Sequence, residues 1–312
     1  MVATPASSIA DPMMLRGNAR RRRKERVVGG VFFSAAALGL VISVAIVVAL
    51  IGEAVIWLSK IDLGMLWGDG WFPRRSEFDL LTILAGTMII AVVAMFVATP
   101  LGLGAAMFLS EYASPRTRRT LKPILEVLAA IPSVVLGYFA LQVINPDLVQ
   151  KLFSSVGAFS LLAAGIGVGI LTIPLIASVA EDAMYAVPAS LREAAYGLGS
   201  RRRTVTTKVV FPAAVSGIVA SLILGFSRAV GETMVVAIAA GATGGALRTF
   251  NPLDRGQTMT GAISSLAIGS DQVQGSTLAF PALYFVGLFL FVITLTLNLL
   301  SERFVRRVRQ TY

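Results

Sequence analysis

The chain has 312 residues, 56% hydrophobic and only 14% charged, against about 25% charged in soluble domains. A mean hydropathy of +0.79 and 27 basic against 17 acidic residues exclude an ordinary soluble globule and leave a membrane protein with a basic bias. The absence of cysteine and histidine excludes disulfide frameworks, zinc-thiolate sites and thiolate or Ser-His nucleophilic catalysis, and with them most enzyme classes.

In chain order, residues 1–26 read as a basic N-terminal tail. Its first fifteen residues lack any period, and Arg16, Arg20, Arg21, Arg22, Arg23, Lys24 and Arg26 follow. The apolar run beginning at Val27 is longer than the 7–15 residues of a signal peptide, so it reads as an uncleaved span. A spanning helix needs about 20 mostly apolar residues, and six candidates follow within a membrane domain of 27–312. These candidates, the membrane-embedded part of the chain, lie at about 27–58, 80–110, 124–146, 152–180, 213–243 and 279–301. Pro100, Pro132 and Pro174 each sit inside an apolar run, where a missing N–H favours a kink. Because the second run is longer than a bilayer requires, it must tilt, protrude or break at Pro100. Gly165 and Gly169 offer small residues at a four-residue spacing, suited to close helix packing.

The basic residues fix an orientation. Twenty of them fall in the N-terminal segment, the second and fourth loops and the C-terminal tail, all on one side of six spans. Six fall on the other side, and Arg228 lies within a span. The positive-inside rule places both termini in the cytoplasm. The same distribution argues against a nucleic-acid partner, which would call for one contiguous basic patch.

The cytoplasmic loop at 181–212 is more than polar filler. Leu191, Ala194, Ala195 and Leu198 recur at helical spacing, Pro188 suits a helix start, and Gly199 suits its stop. A short helix held outside the bilayer with an apolar face suggests docking of a soluble partner. The alternative is a helix lying on lipid headgroups with Arg201, Arg202 and Arg203 among the phosphates. No lysine follows a glycine, so there is no P-loop. Energy must come from another subunit or an ion gradient.

This loop resembles the EAA loop of importer-type ABC permeases. Glu193-Ala194-Ala195 is followed at the family spacing by Gly199, and Pro212 closes the pattern. Val209 and Phe211 replace the usual Ile and Leu. The resemblance implies that Glu193, Ala194, Ala195, Gly199 and Pro212 belong to the element coupling the permease to an ATPase.

In the fifth candidate span, Arg228 and Glu232 stand four residues apart, a spacing that would place them on one helix face. An arginine at mid-membrane costs about 2.5–3.5 kcal/mol on insertion scales, so the pair must face protein or a wet pathway. A structural ion pair, an anion-contacting arginine and a proton-relay carboxylate all fit the chemistry. The string Arg228-Ala229-Val230-Gly231-Glu232-Thr233-Met234 resembles the RAxGET signature of phosphate-specific ABC permeases of the PstC type. Gln257-Thr258-Met259-Thr260, the FLSEYASPRTR segment from Phe108 to Arg118, and the C-terminal FVITLTLNLLSERFVRRV run resemble that family too.

The resemblance implies an all-α polytopic protein with six transmembrane helices and the type I ABC importer permease fold, in a bacterial cytoplasmic (inner) membrane. It implies import of inorganic phosphate, with Arg228, Glu232, Ser227 and Thr233 on the substrate pathway. The expected partners are a PstA-type permease, PstB-type ATP-binding subunits, a PstS-type external phosphate-binding protein and membrane lipid. No cofactor is expected on this chain, with ATP and Mg on the ATPase. The alternatives are a permease for sulfate or molybdate, or a proton-coupled anion transporter working through Glu232.

Overall fold

A chain this apolar satisfies its backbone inside lipid by closing hydrogen bonds within helices. The computed structural model describes residues 19–241, 245–268 and 278–308, and most of them are helical. Residues 1–18 of the expected tail, 242–243 of the expected fifth span and Arg309 of the C-terminal basic run lie outside the described residues. The chain divides into two units, Met1–Gly52 and Glu53–Tyr312. The first contains the basic start and most of helix α1 (Ala19–Leu58).

The second unit begins with the last turn of α1 and a three-stranded sheet of order β2-β1-β3. In it β1 (Gly70–Phe72) pairs antiparallel with β2 (Glu77–Phe78) and with β3 (Ala246–Leu247). Trp57, Trp71 and Phe78 are fully buried there. The Trp57 indole N–H donates to the Leu278 carbonyl at 2.9 Å, and its ring meets Phe78 edge-on at 5.2 Å. Arg248 bonds the Asp69 carboxylate at 3.2 Å, which ties the sheet together.

Helix α2 (Leu80–Met107) starts at Asp79, whose carboxylate accepts from the Leu81 N–H and the Thr82 hydroxyl. Pro100 does not break it: α2 runs on through the proline and ends in a π-turn at Phe108–Tyr112. Helix α3 (Pro115–Ala129) is amphipathic and, at 15 residues and about 1.5 Å each, too short to cross a bilayer.

Pro132 does act as a breaker. It separates α3 from α4 (Ser133–Phe139), which continues through a π-helical stretch, Ala140–Val149, into α5 (Gln150–Leu152), and the two parts meet at 83°. The third apolar helix therefore starts at Ser133, where the apolar run suggested 124. The fourth, α6 (Leu161–Tyr185), starts at Leu161 where the run suggested 152. Ser160 caps α6, accepting from the Ala163 N–H at 3.1 Å and donating to Asn145 Oδ1 at 2.9 Å. Hydropathy alone cannot see that capped turn.

Helix α6 packs closely on α2. A Cβ at Gly165 would lie 2.6 Å from Val93, and one at Gly169 2.9 Å from Val97, so the glycine spacing does serve helix packing. Beyond α6 come α7 (Ala189–Gly197), α8 (Arg202–Val205), a π-turn at Thr206–Val210 and α9 (Phe211–Ala213). A 73° bend then leads into α10 (Val215–Val230). Helices α11 (Met234–Ala239), α12 (Met259–Ala267) and α13 (Ala279–Val308) complete the order. Among the described residues, four helices are long and apolar enough to cross a membrane, or up to six if each bent pair is one span. The molecule is a multi-pass helical membrane protein.

Candidate functional site

The Arg228–Glu232 segment differs from its expected form. Helix α10 ends at Val230, capped by Gly231, and Glu232 and Thr233 lie in the break before α11. The two charged groups are therefore not neighbours on one helix face, and no ion pair joins them. Glu232, 9% exposed, turns back along its own chain and accepts from the Met234 N–H at 3.2 Å. This carboxylate occupies the start of α11, where free N–H groups favour negative charge. The physical reason is local: Gly231 ends the 3.6-residue repeat that the spacing argument assumed.

Arg228 is exposed and has no hydrogen bond or ion pair among the described residues. It opens on a cavity of about 330 Å³ shared with Glu126 of α3 and with Leu171, Pro174 and Ser178 of α6. Ser227, next to it, donates to Asn298 of α13 at 3.1 Å. The Thr233 hydroxyl makes a long contact, 3.4 Å, with the Gly231 carbonyl. Of the four expected pathway residues, the structure places only Arg228 on the cavity.

Glu232 is held from the far side by the segment Gln257-Thr258-Met259-Thr260. The Thr260 hydroxyl donates to the Glu232 carbonyl at 2.7 Å. Thr258 caps α12 through the Gly261 N–H, and the Met259 N–H donates to Thr87 of α2 at 3.0 Å. This segment crosses α2 at Gly86, where a Cβ would stand 2.2 Å from the Gln257 carbonyl oxygen. No sequence pattern linked Gly86, Thr87 or Thr260 to Glu232, because each contact joins residues far apart in the chain.

The loop carrying the EAA pattern forms the second candidate site. Helix α7 ends at Gly197, and Gly199 follows at φ +78°, the left-handed conformation that glycine adopts without strain. Leu191 and Ala195 pack inward against a cluster with Met184, Val187 and Val205. Glu193, Ala194, Gly199 and Leu198 are exposed, so of the four apolar residues at helical spacing Ala194 and Leu198 face out and Leu191 and Ala195 face the body. Pro212 lies exposed in α9, just before the 73° bend.

Two buried carboxylates beneath this loop were not singled out by the sequence reading. Glu181 of α6 is fully buried and pairs with Arg118 and, at 2.7 Å, with Lys122 of α3. Lys122 also reaches Asp182 at 2.6 Å. Burial works against the Lys122 ammonium, but hydrogen bonds to Asp182 and Glu181 and their charges outweigh it and raise its pKa. Glu111, in the π-turn after α2, pairs with Arg192 of α7 at 3.0 Å. The available signal was an acid at the end of an apolar run (Glu111, and Glu181 beside Asp182), which identifies an unusual carboxylate without naming its partner.

Residues 98–310 match the family of binding-protein-dependent transport system inner membrane components. The chain is 33% identical over 271 residues to the phosphate transport system permease protein PstC of Pasteurella multocida, covering 81% of this chain and 82% of that protein. It is 35% identical over 259 residues to the PstC protein of Haemophilus influenzae, covering 77% and 80%. A solved bacterial ABC transporter involved in import of the acidic polysaccharide alginate shares the fold at TM-score 0.62. It is 16% identical and covers 93% of this chain and 100% of its own. Membership of the family carries with it an ATPase and a substrate-binding protein as general partners. With its multi-pass helices, capped EAA-type loop and RAxGET segment, the chain belongs to the binding-protein-dependent transport system inner membrane components, among the PstC-type permeases.

Proposed function

We propose that the chain forms half of the translocation pathway of an ATP-driven importer of inorganic phosphate. It sits in the cytoplasmic membrane of a bacterial cell with both termini inside. The other half is a PstA-type permease. PstB-type subunits hold ATP and Mg and dock on α7 and the turn after it, with Glu193, Ala194 and Gly199 on the exposed side and Ala195 seating the helix on the body. A PstS-type protein delivers phosphate from outside.

The observation that carries this reading is Arg228, a guanidinium with no hydrogen-bond or ion-pair partner among the described residues, open to a cavity of about 330 Å³. Its planar fork matches two oxygens of a tetrahedral oxyanion, and the 33–35% identical relatives are named for phosphate transport. A single arginine binds a passing anion without trapping it. Glu232, fixed nearby in the chain by Thr260 and the Met234 N–H, lowers the local positive potential and so favours release. Ser227 and Thr233, next in the chain to Arg228 and Glu232, complete the pathway segment, and ATP-driven movement of α7 alternates access to the Arg228 cavity.

The test is uptake of radiolabelled phosphate, with sulfate as control, in cells lacking only this chain and restored with wild type, Glu193→Lys or Arg228→Gln. Wild type alone should restore phosphate uptake, with sulfate uptake unchanged throughout. Normal phosphate uptake in the deleted cells, with no second system present, would overturn the substrate. Normal uptake with Arg228→Gln in an assembled complex would overturn the role of Arg228.

A further inference from the structure

We infer that Arg192 is a positioning residue that fastens the coupling helix α7 to the α2–α6 pair, so that the stroke of the ATPase reaches the wall of the Arg228 cavity. This rests on the reading of α7 as the ATPase-docking element. The guanidinium joins three elements at once. From α7 it donates to the Met184 carbonyl in the last turn of α6 at 2.8 Å and to the Val187 carbonyl just beyond at 2.5 Å. Nε and Nη2 reach the same Glu111 oxygen at 3.3 and 3.0 Å.

The last carbonyls of a helix have no partner within it; that of Met184 accepts from the Val187 N–H at 3.2 Å, and Arg192 adds a charged donor to it. Its other edge is held by Glu111, whose side chain is 4% exposed. Glu111 is itself held by the Ser110 hydroxyl at 2.9 Å. A buried pair of this kind is costly to break from one side, because the remaining charge has no solvent to turn to. The fork therefore resists sliding of α7 over α2 and α6.

A second contact leads to the same π-turn. Arg202, in α8 beyond α7, lies over the ring of Tyr112 at 5.1 Å, so the coupling helix and the helix after it hold neighbouring residues, Glu111 and Tyr112, at the end of α2. The α2–α6 pair is itself packed too closely to shear freely at Gly165 and Gly169. Because α6 contributes Leu171, Pro174 and Ser178 to the Arg228 cavity, a displacement of α7 moves that wall with it. A lysine at 192 would keep the charge but could not present a planar fork to two carbonyls and a carboxylate.

The experiment uses the whole transporter with its ATPase and binding protein in proteoliposomes. Radiolabelled phosphate transported per ATP hydrolysed is measured beside the amount of ATPase that co-purifies. Arg192→Ala/Glu111→Gln removes the joint without leaving a buried charge unpaired, and Arg192→Lys gives a folded intermediate case. The ratio should fall about two- to thirtyfold in the double variant, and less in Arg192→Lys, with ATPase attachment unchanged. An unchanged ratio in the assembled double variant overturns the joint. So does a loss of transport that merely tracks loss of the ATPase. Glu193→Lys separates the two readings: if it leaves ATPase attachment intact, the docking role of α7 fails and the joint falls with it. If it detaches the ATPase while the double variant keeps a normal ratio, only the Arg192 joint is refuted.

Discussion

Gly86→Ala tests the crossing that supports Glu232. The new Cβ would lie 2.2 Å from the Gln257 carbonyl oxygen, so the Gln257 backbone must retreat by about 1 Å to regain normal contact. It has no slack on either side. The Gly256 N–H is bonded to the Ala240 carbonyl at 3.2 Å, and the Met259 N–H to Thr87 at 3.0 Å. Overpacking of this kind costs about 1–3 kcal/mol. Weakening the Met259 bond adds about 1 kcal/mol, and the better helix propensity of alanine returns about 1 kcal/mol. A net loss of about 1–3 kcal/mol corresponds to a melting temperature lower by about 2–12 °C, scaling from domains of 150–250 residues. The assay is thermal unfolding of the detergent-purified protein followed by tryptophan fluorescence, since Trp57 and Trp71 are fully buried. Gly104→Ala, in the same helix with nothing within 4 Å, should melt no lower than wild type. Equal stability of Gly86→Ala and wild type, or the same loss in both variants, would refute the reasoning.

Other substitutions probe the supports around the two sites. Thr260→Val removes the donor at 2.7 Å from the Glu232 carbonyl and should cost about 1–3 kcal/mol in the same melt, with Thr260→Ser close to wild type. Ser160→Ala removes the cap of α6 and should cost about 0.5–2 kcal/mol, read as a lower unfolding midpoint. The Lys122 pKa is raised above 10.5, so its contribution to stability is complete below that value and is lost only as pH rises through the raised one. The gap in melting temperature between wild type and Lys122→Met should therefore stay flat from about pH 7 to about pH 9; a gap that closes over that range would show that the ammonium is not held.

The amino-acid sequence by itself determined the class of the molecule. Long apolar runs must become helices because lipid offers backbone groups no other partner, and the spacing Glu193-Ala194-Ala195 to Gly199 marks a capped helix between two of them. The glycines at 165 and 169 likewise announced close helix packing, because a missing side chain has the same consequence wherever a helix meets another. Tertiary structure decided what lies opposite each polar group. The four-residue spacing of Arg228 and Glu232 implied a pair, yet Gly231 ends α10 between them and Glu232 bonds Met234 instead. Pro100 and Pro132 look alike in an apolar run, but α2 continues through the first while the chain turns by 83° at the second. Glu111 and Arg192 are 81 residues apart, and Thr260 lies 28 residues beyond the carbonyl it holds. Periodicity reports a residue's neighbours along its own helix; it carries no information about which distant helix end or loop will pack against that face, and that packing is what assigns each buried charge its partner.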